Sequence, residues 1–409
     1  MMKQLKMIEF AEGVAGPLAG LRLAELGASV IKVEPAEGDW LRSAEPSMPG
    51  ADVSAAFFHL NCGKRSLALG TNPADAAKVL QALLKRADVF ITDRNDAELL
   101  ALGLELGGNV YAENPQLVHA HISPLGRQGP MSGHKGSELT AQAMAGYTRY
   151  LGAKDEPAER LGADVASVGT GVFVAQAVMA ALFARKRTGS GQRVDLSLLN
   201  SLLSMKSIHL AAQSDPDVYA GPRAGGAHYP PERGWKTADE PVFIQFGGSV
   251  GAEGRPGWVK FVKEIGCEHL LQDSRFDHAG RNSTGHGVDV NALRPVYERE
   301  FARFTAEKLV EIARKHAGNA SVYQRADQAL AHPQTKALGI LREVAGPRGG
   351  MVPLRAFPAR FSRLRPGVDT PAPRLGEHTA AVAAEAGLSP ADIARMIETA
   401  ALTRPAQVA

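Results

Sequence analysis

The sequence predicts an α/β protein of more than one domain, whose first part builds βαβ units on a parallel sheet with helices on both faces and whose later part holds a smaller domain. Three observations carry that prediction. Short β-branched runs alternate with helical stretches through the first 125 residues, the pattern of successive βαβ units. Pro and Gly residues from Pro216 to Gly234 interrupt the middle of the chain. The length, 409 residues, is enough for two or three domains with real cores. The boundaries read as 1–213 for the first part, 226–325 for the smaller domain and 333–409 for the last segment.

Taken in order, Met7–Phe10 reads as a buried strand and Leu18 to Leu26 as a helix, with Pro17 in its first turn and Gly27 past its end. Val30–Val33 is a second strand. After a polar loop, Thr71-Asn72-Pro73 caps a helix through Arg86, with Val79, Leu80, Leu83 and Leu84 at helical spacing. Asp88–Ile91 and Leu117–Ile122 read as strands around a short helix at Ala97–Leu102. A long helix follows from about Ser167 to Arg187, then a turn at 188–192 leading into Arg193–Leu196, then a helix from Leu196 to Ala212. The smaller domain carries one strand, Val242–Phe246, and several helices. Beyond Pro333 the chain reads as extended until a last helix near Pro390–Thr399.

Composition narrows the function classes. Lys and Arg total 46 against 43 Asp and Glu, a net charge of +3 with no basic block, which argues against nucleic acid or an anionic membrane as partner. Apolar residues make up 44% and charged ones 22%, as in ordinary soluble proteins. Cys62 and Cys267 are too few for a disulfide framework or a thiolate metal site, and no metal is expected. The longest mostly apolar run, Gly171 to Ala184, is short for a bilayer span, and the N-terminus lacks a signal-peptide apolar region. The expectation is a cytoplasmic protein.

Individual motifs are weak alone. Gly13, Gly16 and Gly20 follow the first strand and Glu34 ends the second, but that glycine spacing is not the one that brings backbone up to a pyrophosphate. Turn glycines are the better account. Arg42 and Lys64-Arg65 lie beside loops after strands, where they serve either as solvated charges or as anion contacts. His119 and His121 share one face of a strand with no third donor spaced to complete a metal site. Arg223-Ala224-Gly225-Gly226-Ala227-His228 reads equally as a ligand-approaching loop or a linker. Asp164 and Ser167 each read as helix caps.

Together, ordered pieces of this chain resemble one family. They are Ala15-Gly16-Pro17, Leu26-Gly27-Ala28-Ser29-Val30-Ile31-Lys32-Val33-Glu34, Gly38-Asp39-Trp40-Leu41-Arg42, Asn61-Cys62-Gly63-Lys64-Arg65-Ser66, Arg187-Thr188-Gly189-Ser190-Gly191-Gln192, Arg275-Phe276, His332-Pro333-Gln334 and Leu375-Gly376-Glu377-His378-Thr379. The chain resembles the class III CoA-transferases, the CaiB/BaiF family, from end to end. The resemblance implies a Rossmann-like large domain built from both chain ends, with 333–409 returning to complete it, and a smaller inserted α/β domain. It also implies two chains threaded as interlocked rings, and transfer of coenzyme A from a CoA thioester, such as succinyl-CoA, to a carboxylic acid. In that chemistry an Asp carboxylate attacks the thioester, forming a mixed anhydride and then an aspartyl-CoA thioester, which the acceptor acid attacks in turn. CoA contacts carry over to Arg42, Leu69 and Arg94.

Two departures stand out. In the register set by Gly171 and Thr188-Gly189, the family's catalytic Asp falls on Ser167. An acylated serine is an ordinary ester, too stable to return its acyl group to CoA, and the sequence shows no base beside it. The family's Asn-Phe-Arg-Pro-Gly becomes Asp93-Arg94-Asn95-Asp96-Ala97, and a phosphate-binding Arg falls on Ala101. Carboxylates at 93 and 96 disfavour phosphate. Three explanations follow. The chain is the non-catalytic subunit of a heteromer with an Asp-bearing paralogue, as in transferases similar to those acting on benzylsuccinate; or Asp164 has become the nucleophile; or the chemistry is CoA-thioester isomerisation, racemisation or hydration. The racemase branch is disfavoured because its acid–base His falls on Ser137, with His134 out of register. A fourth reading, of another class, is a binding or regulatory protein without CoA.

Overall fold

The computed structural model describes residues 5–48, 53–70, 72–148, 157–205, 234–246, 256–276, 290–346 and 349–398. The chain divides into two units. One holds residues 1–145, 162–205 and 336–409, the other 146–161 and 206–335. The loop at 223–228, with its two readings, lies outside the described residues.

The first unit is built on six strands, β1 (Lys6–Phe10), β2 (Ser29–Glu34), β3 (Arg65–Ala68), β4 (Val89–Thr92), β5 (Val118–Ser123) and β6 (Arg193–Ser197), in the order β3-β2-β1-β4-β5-β6. All pairings are parallel, with Ile8 opposite Ile31 on one side and Phe90 on the other. This is the Rossmann order, and it reverses direction between β1 and β4. The expected strands are present to within about a residue. The stretch before Asn72, read as a polar loop, instead holds helix α2 (Ala55–Asn61) and the edge strand β3. Helix α3 (Pro73–Leu84) starts as read, with the Asn72 side chain accepting from the Ala74 N–H and Pro73 at the first position. Its buried face, Val79, Leu80, Leu83 and Leu84, packs in one core with Ile8, Ile31, Phe90 and the C-terminal Val382 and Ala383.

Three short helices follow, α4 (Asp96–Ala101), α5 (Tyr111–Glu113) and α6 (Glu138–Met144), before the long helix α7 (Val165–Thr188). Helix α1 (Ala15–Glu25) is almost wholly buried because α7 packs against it. Gly171 makes that approach possible: a Cβ there would stand 2.7 Å from the Ala15 carbonyl and 2.9 Å from the Leu18 side chain. Helix α7 ends on Arg185, Lys186 and Arg187, cations at the negative end of the dipole, and Gly189 closes it at φ +75°. The helix exceeds the apolar run within it and is long and apolar enough to cross a bilayer; its Thr170, Gly171, Val174, Val178 and Ala181 are buried in protein.

The returning segment is more structured than expected. It carries helix Pro333–Leu338, an antiparallel hairpin pairing Leu341–Ala345 with Met351–Arg355, and helix Thr379–Ala386, whose Val382 and Ala383 supply apolar surface that the sequence pattern did not reveal. The last helix, Pro390–Glu398, lies where it was read. In the second unit, Val242–Gln245 pairs antiparallel with Asn319–Val322, a strand that sequence reading missed. An aromatic core of Trp235, Trp258, Phe261, Tyr297 and Phe301 packs beside them.

Candidate active site

The carboxyl ends of β1, β4 and β5 open onto a cavity of about 430 Å3 at the point where the strand order reverses. Ligands of open α/β sheets bind in such a crevice. Two further elements complete it, helix α6 (Glu138–Met144) and the first turn of α7. Its chemistry-bearing walls are Glu12, Trp40, Asp93, Glu138, Asp164 and Ser167.

Ser167 sits in the first turn of α7, where backbone N–H groups lack helical partners. No acidic residue of α7 itself answers them. The Glu138 carboxylate does so from α6, accepting the Ala166 N–H at 2.8 Å, the Ser167 N–H at 2.7 Å and the Ser167 hydroxyl at 2.7 Å. The Gln142 amide donates to the same carboxylate at 2.8 Å. Partial burial raises the Glu138 pKa, but the bonds from Gln142, Ser167 and Ala166 outweigh it and hold the group below the usual glutamate value. Ser167 therefore does have a carboxylate beside it, contrary to the sequence reading. Saturation by four donors makes that carboxylate a poor base, so the hydroxyl is held rather than activated.

Asp164 occupies the N-cap position of α7 with non-helical backbone, and its side chain makes no capping bond. It is three residues from Ser167 without sharing a helical turn, yet both side chains face one cavity. Ser137 caps α6 and also lines the cavity, while His134 is exposed and does not.

A buried charge network fixes the wall beneath. The Asp39 carboxylate accepts the Gly13 N–H at 3.0 Å and the Leu41 N–H at 2.9 Å, and Lys32 Nζ lies 2.8 Å from it. Burial disfavours the Lys32 cation, but Glu9, Asp39 and Glu34 around it raise its pKa overall. Gly13, at φ +72°, lies against the Trp40 ring so closely that a Cβ there would stand 2.7 Å from it. Lys64 is neither a solvated charge nor an anion contact: it is buried, with Nζ 2.7 Å from Glu9 and 2.9 Å from Asn61 Oδ1. Burial lowers its pKa to about 8 despite Glu9.

Arg42 donates from Nε and Nη2, one edge of its guanidinium, to the two oxygens of Glu34 at 2.7 and 2.8 Å, and stacks 3.9 Å from the Phe57 ring centre. Glu34 also accepts the Ser66 hydroxyl at 2.6 Å, so its carboxylate is occupied by donors of the chain itself. Leu69 is buried in the α3 core. Neither Arg42 nor Leu69 lines the cavity. Arg94 pairs with Glu12 and lies 3.8 Å from Asp93. Asp93 accepts the Glu12 N–H at 2.9 Å through Oδ2, while Oδ1 is buried without a hydrogen-bond partner. The side chain as a whole keeps 31% of its surface exposed. Burial pushes its pKa up to about 6 against the pull of Arg94. Asp96 faces away from the cavity into Arg127 and Arg193, which offset its charge. His119 and His121 are buried on β5, and no group of His, Cys, Asp and Glu able to hold a metal occurs among the described residues.

Residues 2–379 match the model of CoA-transferase family III. The chain belongs to that family. Succinate–glutarate CoA-transferase of Agrobacterium fabrum is 29% identical over 392 residues, covering 93% of this chain and 94% of that protein. Formyl-CoA:oxalate CoA-transferase of Shigella sonnei is 28% identical over 429 aligned positions, covering 98% and 99%. Among solved structures, a CaiB/BaiF family protein from Brucella suis superposes with a TM-score of 0.80 at 27% identity, over 93% of this chain and 98% of the other. In this CoA-transferase family member, Glu138 is the residue that sequence reasoning missed. It lies 29 positions from Ser167, and no local pattern joins the two.

Proposed function

We propose that this chain is the non-catalytic subunit of a CoA-transferase that moves CoA between a CoA thioester and a carboxylic acid, paired with an Asp-bearing paralogue. What supports this reading is Ser167: the register of the sequence resemblance sets it against the family's nucleophilic Asp, and its hydroxyl donates to Glu138 at 2.7 Å. A carboxylate there accepts the acyl group as an anhydride and CoA as a thioester; a hydroxyl yields an ester that does not return it. The intact fold around a missing nucleophile is what a partner subunit requires.

A second observation supports the pairing. Helix α7 leaves Val168 at 42%, Val172 at 49%, Met179 at 39% and Phe183 at 66% exposure along its outer face. An apolar stripe at helical spacing on one chain is the kind of surface that a subunit interface covers.

A competing reading makes Asp164 the nucleophile, because it lines the same cavity as Ser167. One assay separates the two. The chain is purified alone and tested with succinyl-CoA and a panel of carboxylic acids, then retested after co-expression with the paralogue. No turnover alone and robust turnover in a one-to-one complex is the expected result. Turnover by the chain alone, abolished in Asp164→Asn, overturns the subunit reading in favour of Asp164.

A further inference from the structure

A second cavity, of about 450 Å3, opens at the opposite end of the sheet, where β1, β2 and β3 begin, beside the C-terminal ends of α3 and of helix Thr379–Ala386. Its floor is aliphatic, from the buried side chains of Ile8, Ile31, Leu83 and Val382. Its rim is cationic: Lys6, Arg65 and Arg86 stand around a single carboxylate, Glu385. Arg65 Nη1 lies 2.7 Å from that carboxylate, in a pair left 30% and 58% exposed. Arg86 spends a donor on the Glu385 backbone carbonyl, at 2.7 Å, and neither it nor Lys6 forms an ion pair among the described residues. Asp88, beside Lys6, is occupied elsewhere: it accepts the Lys6 backbone N–H at 2.9 Å and pairs with Arg185 at 2.9 Å.

Three cations converging on one opening over an apolar floor repel one another, and one carboxylate offsets only part of that charge. An anion entering between them relieves the repulsion, and guanidinium groups take carboxylate or phosphate oxygens in charge-assisted hydrogen bonds. A lone ion would leave most of the space unused, since a water occupies only about 30 Å3. The aliphatic floor is matched by an aliphatic body attached to the anion. No aromatic side chain lines the described cavity, so a nucleobase would find no ring to stack on. We propose that this cavity binds a small aliphatic anion, its carboxylate or phosphate head among Lys6, Arg65 and Arg86 and its tail on Ile8, Ile31, Leu83 and Val382. The site lies at the far end of the sheet from the candidate active site, and the inference is independent of which chain holds the nucleophile.

The test uses the full chain and four probes in calorimetry: octanoate, octyl phosphate, 1-octanol as the uncharged chain, and inorganic phosphate as the head alone. At least one of the two amphiphilic anions is expected to bind at least tenfold tighter than octanol and than inorganic phosphate, and to weaken as salt rises; preference between the two identifies the head. Lys6→Gln should weaken that binding severalfold. Glu385→Gln removes the competing carboxylate from a pair that water already reaches, and should tighten it severalfold, a sign that damage to the fold would not give. Entry into the other cavity is reported by acrylamide quenching of Trp40, which lines it at 61% exposure while Trp235 and Trp258 are 1% exposed; quenching should stay unchanged at saturation. Octanol binding as tightly as the anions, inorganic phosphate binding as tightly as octyl phosphate, or no binding of either amphiphile each overturns the proposal. So does binding that is indifferent to both variants, which together with shielding of Trp40 would put the ligand in the other cavity.

Discussion

His119 gives the fold a calculable acid sensitivity. The ring is fully buried on β5, stacked on Phe90 with centres 5.3 Å apart, and neither nitrogen has a hydrogen-bond partner. Burial, reinforced by Arg193 and His121, lowers its pKa to about 3. The folded chain therefore leaves His119 neutral, whereas the unfolded chain protonates it below an ordinary value of about 6.5. A depressed histidine pKa favours the unfolded state as pH falls, beginning near the unfolded value and continuing toward the folded one. At pH 5 the unfolded histidine gains about 2 kcal/mol of proton binding that the folded state forgoes, with a ceiling of roughly 5 kcal/mol near pH 3. His119→Leu removes this term, and carboxylates that titrate in both proteins cancel in the comparison. Urea denaturation at pH 8 and pH 5, followed by circular dichroism, should show the parent losing about 2 kcal/mol more than the variant over that interval. Equal losses would mean that His119 is protonated or solvated in the folded chain, and the reasoning would fail.

Glu138→Ala leaves the first N–H groups of α7 and the Ser167 hydroxyl without their acceptor. With water able to reach this half-exposed site, the expected cost is about 1.5–3 kcal/mol, and less for Glu138→Gln, which keeps one acceptor oxygen. Thermal unfolding of both variants checks that order. Because the Glu138 pKa is depressed, its contribution is complete above the unfolded glutamate value near 4.5 and disappears as pH falls through the lower folded value. Arg42→Ala strands the fully buried Glu34 carboxylate and should cost about 3–5 kcal/mol, measured by denaturant midpoint, as befits a structural ion pair.

How far the sequence could be read follows from where each signal resides. Strands β1, β2, β4 and β5 are short apolar runs bounded by turns, α3 carries an N-cap and helical periodicity, and α7 is a long apolar run closed by Gly189, so local chemistry revealed them. Strand β3 escaped because its four residues begin with Arg65 and Ser66, whose partners, Glu385 and Glu34, are distant in sequence. Helix 379–386 escaped because its alanines pack into a core built by the other end of the chain. At the site, Asp164 and Ser167 were visible from register, and the structure brings both to one cavity. Glu138, Asp93 and Trp40 join them only through the folding of separate βα loops. Arg42 and Lys64 looked like surface cations; Glu34 and Glu9, on neighbouring strands, make them interior ones.

The most direct test asks which chain carries the covalent intermediate. The complex with the Asp-bearing paralogue is incubated with an acyl-CoA, quenched and examined by intact-mass and peptide mass spectrometry. The account predicts a CoA or acyl adduct on the paralogue's Asp and none on this chain. An adduct on this chain, mapped to Asp164, Glu138 or Ser167, would contradict it.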